Sequence, residues 1–308
     1  DSLTGMELRS KLETQLEVTI SAGKILQGPS IIELAEELTK QLTQDSYSNF
    51  EDENKELVNQ TSNWIAYYKP KPNARLRLFC FHPWGSNASI FRGWSEDLLT
   101  DIEVLPIQLP GRERRLQEKP FTEFVSLIQV LGEILSPYLD RPFAFFGHSM
   151  GALIAFELAY LLEQEYNLKP LHLFLSAALP PSDSFSKEIE SFSQEEKLTS
   201  LIKISDIPEA IYDDPSLLQE LMNIFKADLQ LLQSYSYLEK PSLSCPISSF
   251  GGISDSFTSE KQLSEWSKYT SSTFKVQMFP GKHMFFKDSN KLLLDTISQM
   301  LSTNIDMI

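Results

Sequence analysis

The chain has 308 residues, with 27 basic and 42 acidic side chains and a net charge of −15. That balance argues against a nucleic-acid partner, which would select a basic face. The sequence has no apolar run of eighteen or more residues and no charged-then-apolar leader, so neither membrane insertion nor secretion is indicated, and a cytoplasmic address is expected.

The first predicted element follows Asp1-Ser2-Leu3-Thr4, with Met6, Leu8, Leu12 and Leu16 at helical spacing. A serine just ahead of a helix exposes its hydroxyl beside the unpaired N–H groups and positive dipole end of the helix start. A second helical stretch is Pro29-Ser30-Ile31-Ile32-Glu33-Leu34-Ala35-Glu36-Glu37-Leu38. From Thr43 to Asn63 the chain carries Asp45, Glu51, Asp52, Glu53 and Glu56 against Lys55 alone, among few apolar residues, and is read as a solvated acidic linker.

Beyond it, strand-like runs at 75–81, 102–107, 142–147, 171–177, 245–250 and 273–279 alternate with helix-like runs near 88–99, 122–138, 150–165, 258–269 and 288–302. This rhythm predicts an α/β fold whose mostly parallel sheet is covered by helices on both faces. Cys80 and Cys245 fall in predicted core strands without metal-ligand spacing, so they are read as buried hydrophobes and no metal is expected. The longest interruption, between 171–177 and 245–250, has helical periodicity over Gln194 to Ile204 and Ser216 to Ser234, and predicts a helical lid at about 183–240.

Chemistry concentrates at Gly147-His148-Ser149-Met150-Gly151, between the apolar run Pro142 to Phe146 and an amphipathic stretch starting at Ala152. A serine on a sharp strand-to-helix turn presents its hydroxyl, and the two glycines permit the tight backbone and close strand–helix approach. Such a serine needs a base and an orienting acid downstream, in the order Ser, Asp or Glu, His. His283, in the turn Pro280-Gly281-Lys282-His283 after a strand, is the expected base. His148 lies in the serine turn itself, His172 inside an apolar strand, and His82 in a loop where a structural role is favoured. Asp255, after the strand ending near Phe250, is the expected acid; Asp183, after the strand at 171–177, is the rival position and is read as the start of a loop.

From about Trp64 onward the chain resembles a type II thioesterase, the α/β-hydrolase family that serves polyketide synthases and non-ribosomal peptide synthetases. The resemblance rests on Arg77-Leu78-Phe79-Cys80-Phe81, Leu109-Pro110-Gly111-Arg112-Glu113, Arg141 to Gly151, and Pro280 to Phe286. It implies acyl-enzyme chemistry on phosphopantetheine thioesters, with a triad falling on Ser149, Asp255 and His283. It also implies an oxyanion hole made by the backbone N–H of Met150, beside the nucleophile, and by a second N–H from the loop after the first strand. That loop departs from the family pattern, reading His82-Pro83-Trp84-Gly85-Ser86-Asn87, and the second donor is assigned to Trp84 with Gly85 as the alternative. Arg114 and Arg115 are candidates for docking an acidic carrier or its phosphate, whereas Arg112 is as well explained by pairing with Glu113 or a nearby carboxylate.

The opening residues resemble an acyl or peptidyl carrier protein from its attachment motif onward, which implies phosphopantetheine on Ser2. The family's first helix would lie before Asp1, so the expectation is a piece of a larger protein. The implied organisation is a partial carrier domain at 1–42, the acidic linker at 43–63 and a thioesterase domain at 64–305. The implied partners are a carrier, in cis or in trans, and upstream synthase modules. The expected activity is hydrolytic release or off-loading of an acyl, polyketide or peptidyl chain. Editing of aberrant acyl groups and macrocyclising release are the alternatives, followed by an oxygen-ester carboxylesterase and a non-catalytic docking module.

Overall fold

Short runs dominated by Phe, Leu, Ile and Val cannot be solvated on either side, and they stack with two less apolar strands as one parallel sheet, buried on both faces except at its last strand. The computed structural model describes residues 63–181 and 214–305. The predicted carrier segment with Ser2, the linker, Asp183 and the predicted helix at Gln194 to Ile204 lie outside the described residues. The strands are β1 (Leu76–Phe81), β2 (Ile102–Ile107), β3 (Phe143–His148), β4 (Leu173–Ser176), β5 (Ile247–Gly252) and β6 (Phe274–Phe279). Their order is β2-β1-β3-β4-β5-β6, and every neighbouring pair is parallel.

Alternation within the strands sends side chains to two cores. Phe79, Phe81, Phe143 and Phe145 pack on one face with Leu127, Leu131 and Leu135 of α2 (Phe124–Leu135) and Leu153 and Leu158 of α3 (Met150–Glu165). Leu76, Leu78, Ala144 and Phe146 pack on the other with Trp94 of α1 (Trp94–Asp97) and Leu293, Leu294 and Ile297 of α6 (Asn290–Ile305). The predicted helix near 88–99 is broken into a short 3-10 turn and α1, because Gly93 at φ 92° interrupts it. Similarly, the 258–269 run divides into α5 (Glu260–Ser264), opened by a Ser259–Gln262 capping box, and a 3-10 segment.

The insertion between β4 and β5 contributes α4 (Pro215–Ser234). Asp214 caps its start, its carboxylate accepting from the N–H groups of Ser216 and Leu217 at 2.9 and 3.1 Å, with Pro215 at the first helical position. Beyond its C-terminus, the Tyr235 hydroxyl donates to Glu157 of α3 at 2.8 Å. The helix lies over the loops that leave the C-terminal ends of β1 and β2, where Phe225 stacks on Trp84 and Asp228 pairs with Arg112. Open parallel sheets present ligand-facing groups at this edge.

Candidate active site

Ser149 follows β3 directly and takes φ 54° and ψ −118°, a conformation that a non-glycine residue keeps only when its surroundings impose it. Here the constraints are visible. A Cβ on Gly147 would lie 2.1 Å from the Gly151 carbonyl oxygen, and one on Gly151 would lie 2.2 Å from the Phe81 carbonyl oxygen. The Ser149 N–H donates to the Ser176 carbonyl at 2.7 Å, tying the turn to the end of β4. Met150 opens α3, so its N–H is among the helix's first, unpaired donors.

Asp255 and His283 arrive on neighbouring strands. The turn after β5 is bound to the turn after β6 through Ile253 N–H to Phe279 O at 2.8 Å and Ser254 N–H to Gly281 O at 2.9 Å. The approach is close enough that a Cβ on Gly252 would meet the Lys282 carbonyl oxygen at 2.2 Å, and Gly281 supplies the φ of +127° that the histidine turn needs. Asp255, its side chain fully buried, accepts from the Phe257 N–H at 2.8 Å, the Thr258 hydroxyl at 2.6 Å and His283 Nδ1 at 3.0 Å. Burial would raise this carboxyl, but the hydrogen bond and charge of His283, with the Thr258 and Phe257 donors, hold it below its ordinary value. A proton on His283 Nδ1 facing a carboxylate leaves Nε2 as the ring's basic atom.

His283 and the serine turn meet through His148, whose ring centroid is 5.4 Å from that of His283. His148 is fully buried, with Nδ1 2.9 Å from the Ser176 hydroxyl and its ring against Phe286 at 4.7 Å. Burial and the adjacent His283 hold its imidazole well below the usual value, hence neutral. Phe257, at 5.7 Å, closes the outer side of His283. The structure therefore places Ser149, Asp255 and His283 at one end of the sheet, joins the last two by a hydrogen bond and packs His148 against His283. His172 bonds through Nε2 to the Ser248 hydroxyl at 2.8 Å and stacks on Phe174, while burial lowers its pKa to about 4. His82 is buried beneath its loop, also lowered to about 4, first by burial and then by the Arg112 charge.

In the loop after β1, Trp84 is buried and stacked on Phe225 at 4.2 Å and 16°. The Gly85 N–H is committed to Asp228 Oδ2 at 2.8 Å, which favours Trp84 over Gly85 as the loop's free donor. Arg112 takes the structural role expected of it, paired with a carboxylate near in space but distant in sequence rather than with Glu113. It makes a two-pronged pair with Asp228, 2.9 Å from Nη1 to Oδ2 and 2.6 Å from Nη2 to Oδ1. Arg115, one of the two docking candidates, is instead buried. It pairs with Glu118, donates to the Gln108 carbonyl at 2.9 Å and lies 4.0 Å above the Trp64 ring, so its charge is spent inside the fold. Arg114 is exposed.

Sequence reasoning missed Asp228 and the burial of Glu113. Glu113 is buried at φ 49°, accepts from the Tyr67 hydroxyl at 3.2 Å, and is raised by burial to about 7. Its position after Gly111-Arg112 gave no signal of burial. Cys80 and Cys245 are buried free thiols, both pushed up by burial, Cys245 to about 12. Among the described residues no group of three His, Cys, Asp or Glu side chains is arranged to hold a metal, and no helix is long and apolar enough to cross a membrane.

Comparison with known proteins gives two family matches. The Thioesterase domain model matches residues 76–301, and the phosphopantetheine attachment site model matches residues 1–38. The gramicidin S biosynthesis protein GrsT of Aneurinibacillus migulanus is 35% identical over 246 residues, covering 80% of this chain and 96% of that protein. Among solved structures, RedJ, the thioesterase from the prodiginine pathway of Streptomyces coelicolor, is similar with a TM-score of 0.68 and 30% identity, over 75% of this chain and 92% of RedJ. BorB, the type II thioesterase from the borrelidin biosynthetic cluster, is similar with a TM-score of 0.68 and 29% identity, over 77% of this chain and 96% of BorB.

Proposed function

The chain belongs to the thioesterase family, and from that premise we propose that Ser149, Asp255 and His283 hydrolyse acyl, polyketide or peptidyl thioesters held on the phosphopantetheine arm of a carrier protein. The observation that carries this reading is the fully buried Asp255 carboxylate bonded to His283 Nδ1 at 3.0 Å, beside a serine held at φ 54° at a helix start. In the proposed mechanism His283 Nε2 takes the Ser149 proton as Oγ bonds to the thioester carbonyl carbon. The N–H groups of Met150 and Trp84 receive the oxyanion. The C–S bond then breaks, and the imidazolium returns its proton to the departing sulfur. A thiol of pKa about 8.5 leaves more readily than an alkoxide, so this step asks little of the acid. Water then attacks the acyl-serine, losing its proton to His283. The C–Oγ bond breaks, the proton passes to Ser149 Oγ, and a free acid departs.

The chain carries a phosphopantetheine attachment segment, and Ser2 is the proposed attachment point within it. A division into a carrier segment at 1–42, a linker at 43–63 and a catalytic domain at 64–305 agrees with where the two family matches fall. The proposed partners are that carrier or another of its kind, together with synthase modules, in the cytoplasm. Release or off-loading is the preferred role, since the attachment segment and the hydrolase share one chain. Editing of misloaded carriers is the second reading, favoured by the likeness to BorB.

The decisive experiment compares acyl-pantetheine thioesters with matched oxygen esters on the parent protein and on Ser149→Ala. Preferential thioester turnover, abolished by the substitution, is expected. Equal turnover of both substrate types would favour a carboxylesterase, and an inactive parent would favour a docking module. A mass gain at Ser2 after treatment with a phosphopantetheinyl transferase and coenzyme A is expected on protein extended to include the carrier's first helix, and its absence there would remove the attachment assignment.

A further inference from the structure

The lid helix grips the oxyanion loop at two points one helical turn apart. Phe225 and Asp228, at positions i and i+3 of α4, face the same way. Phe225 lies against Trp84 at 4.2 Å, and it occupies the space above Gly85 so completely that a Cβ there would fall 1.8 Å from its ring. Only glycine fits, and Gly85 sits at φ +65°. One turn on, Asp228 Oδ2 accepts both the Gly85 N–H at 2.8 Å and Arg112 Nη1 at 2.9 Å, while Oδ1 accepts Arg112 Nη2 at 2.6 Å. Arg112 Nη1 also donates to the Ser86 carbonyl at 3.0 Å. Carboxylate and guanidinium are 1% and 2% exposed, so neither has water as an alternative partner.

These contacts fix the Trp84 ring on one side and the Trp84–Gly85 peptide on the other, leaving the preceding peptide, which carries the Trp84 N–H, little freedom to turn. We propose that Asp228 is a positioning residue for the oxyanion hole: docking of α4 and correct aim of the Trp84 N–H are a single event, so the hydrolase is competent only with its lid helix seated. The inference rests on the thioesterase reading through the role given there to Trp84. Arg112 keeps the carboxylate oriented and balances its charge, because a buried carboxylate without a partner would be driven to leave.

Two double variants isolate the effect. Asp228→Asn with Arg112→Met removes both charges but keeps a side-chain oxygen for the Gly85 N–H. Asp228→Leu with Arg112→Met removes both charges and the acceptor. The first is expected to retain kcat within about tenfold of the parent. The second is expected to lose about a hundredfold in kcat on an acyl-pantetheine thioester, with KM changed less than about threefold, as for loss of one oxyanion donor. If the two pairs have equal kcat, or if kcat merely follows their melting temperatures, the proposal is overturned. Hydrogen exchange on the parent gives a second test that needs neither catalysis nor a folded variant. In low denaturant the Gly85 amide should open together with those of Phe225 to Leu229. A Gly85 amide that exchanges while α4 stays protected would also overturn the coupling, whereas an inactive parent with coupled exchange would overturn only the thioesterase reading.

Discussion

Acidification from pH 7 to pH 5 should weaken the fold by at least roughly 2 kcal/mol, through imidazoles that cannot take up protons while folded. His82 and His172 have pKa values lowered from 6.5 to about 4 by burial, and His148 is held well below 6.5. Below pH 6.5 the unfolded chain binds three protons that the native chain refuses, so stability present above that value is lost as pH falls. At about 1.4 kcal/mol per proton and pH unit, His82 and His172 each account for about 2 kcal/mol by pH 5, roughly 4 together, and His148 adds in the same sense. Glu113 acts in the opposite sense. Its carboxyl is raised from 4.5 to about 7, so the native state gains a proton first and is favoured by about 2 kcal/mol over the same interval. The remainder is a large share of the roughly 5–15 kcal/mol that holds a typical domain. Urea titrations followed by tryptophan fluorescence at pH 7 and pH 5 measure it directly; with a slope of about 3 kcal/mol per molar, the midpoint should drop by at least about 0.7 M. His172→Gln should reduce the pH dependence by about one imidazole's share, and Glu113→Gln should steepen it. Midpoints that agree within about 0.3 M at the two pH values, or a His172→Gln variant with the parent's full dependence, would refute the reasoning.

Asp255→Asn, which leaves the Phe257 N–H an acceptor but misdirects the imidazole, should lower kcat on acyl thioesters by about 10³–10⁴ with an unchanged circular dichroism spectrum; a loss below tenfold would remove Asp255 from the catalytic set. Gly151→Ala drives a Cβ to 2.2 Å from the Phe81 carbonyl oxygen and should depress the melting temperature sharply, whereas a Cβ at Gly93 meets nothing within 4 Å, so Gly93→Ala should lose only about 1 kcal/mol, for its positive φ. Phe225→Ala empties a fully buried site against Trp84 and should destabilise α4 by about 3–5 kcal/mol, read as faster amide exchange in that helix with β3 still protected.

What the sequence disclosed was local. The Gly147 to Gly151 turn, and the turns carrying Asp255 and His283, each follow a strand that apolar composition marks, and a fixed order of roles links them. The strands were legible because burial on both faces leaves mostly apolar runs in β1 to β4, broken only by the paired Arg77 and Glu103 in β1 and β2 and by the small or polar ends of β3 and β4. Pairings across the insertion were not. Arg112 and Asp228 are 116 residues apart, and Asp228 sits within helical periodicity that gives no hint of a buried charge. Arg115 misled for a related reason: its neighbours Arg112 and Arg114 make the stretch look like a basic surface, while Trp64, far upstream, supplies the ring that covers it. The 88–99 helix failed at Gly93, a residue whose tolerance in a helix could not be separated from a break without its φ.

The proposed base, His283, hangs from β6, the outermost strand on its side, where only Phe279 of six residues is fully enclosed. Nucleophile and base therefore live on parts of the sheet with unequal security, one in the interior, one at the margin. Warming should fray the margin first, so that hydrolysis fails some degrees below the point at which the tryptophans report collapse of the whole. An enzyme built this way is silenced before it is ruined, and cooling should return it to work.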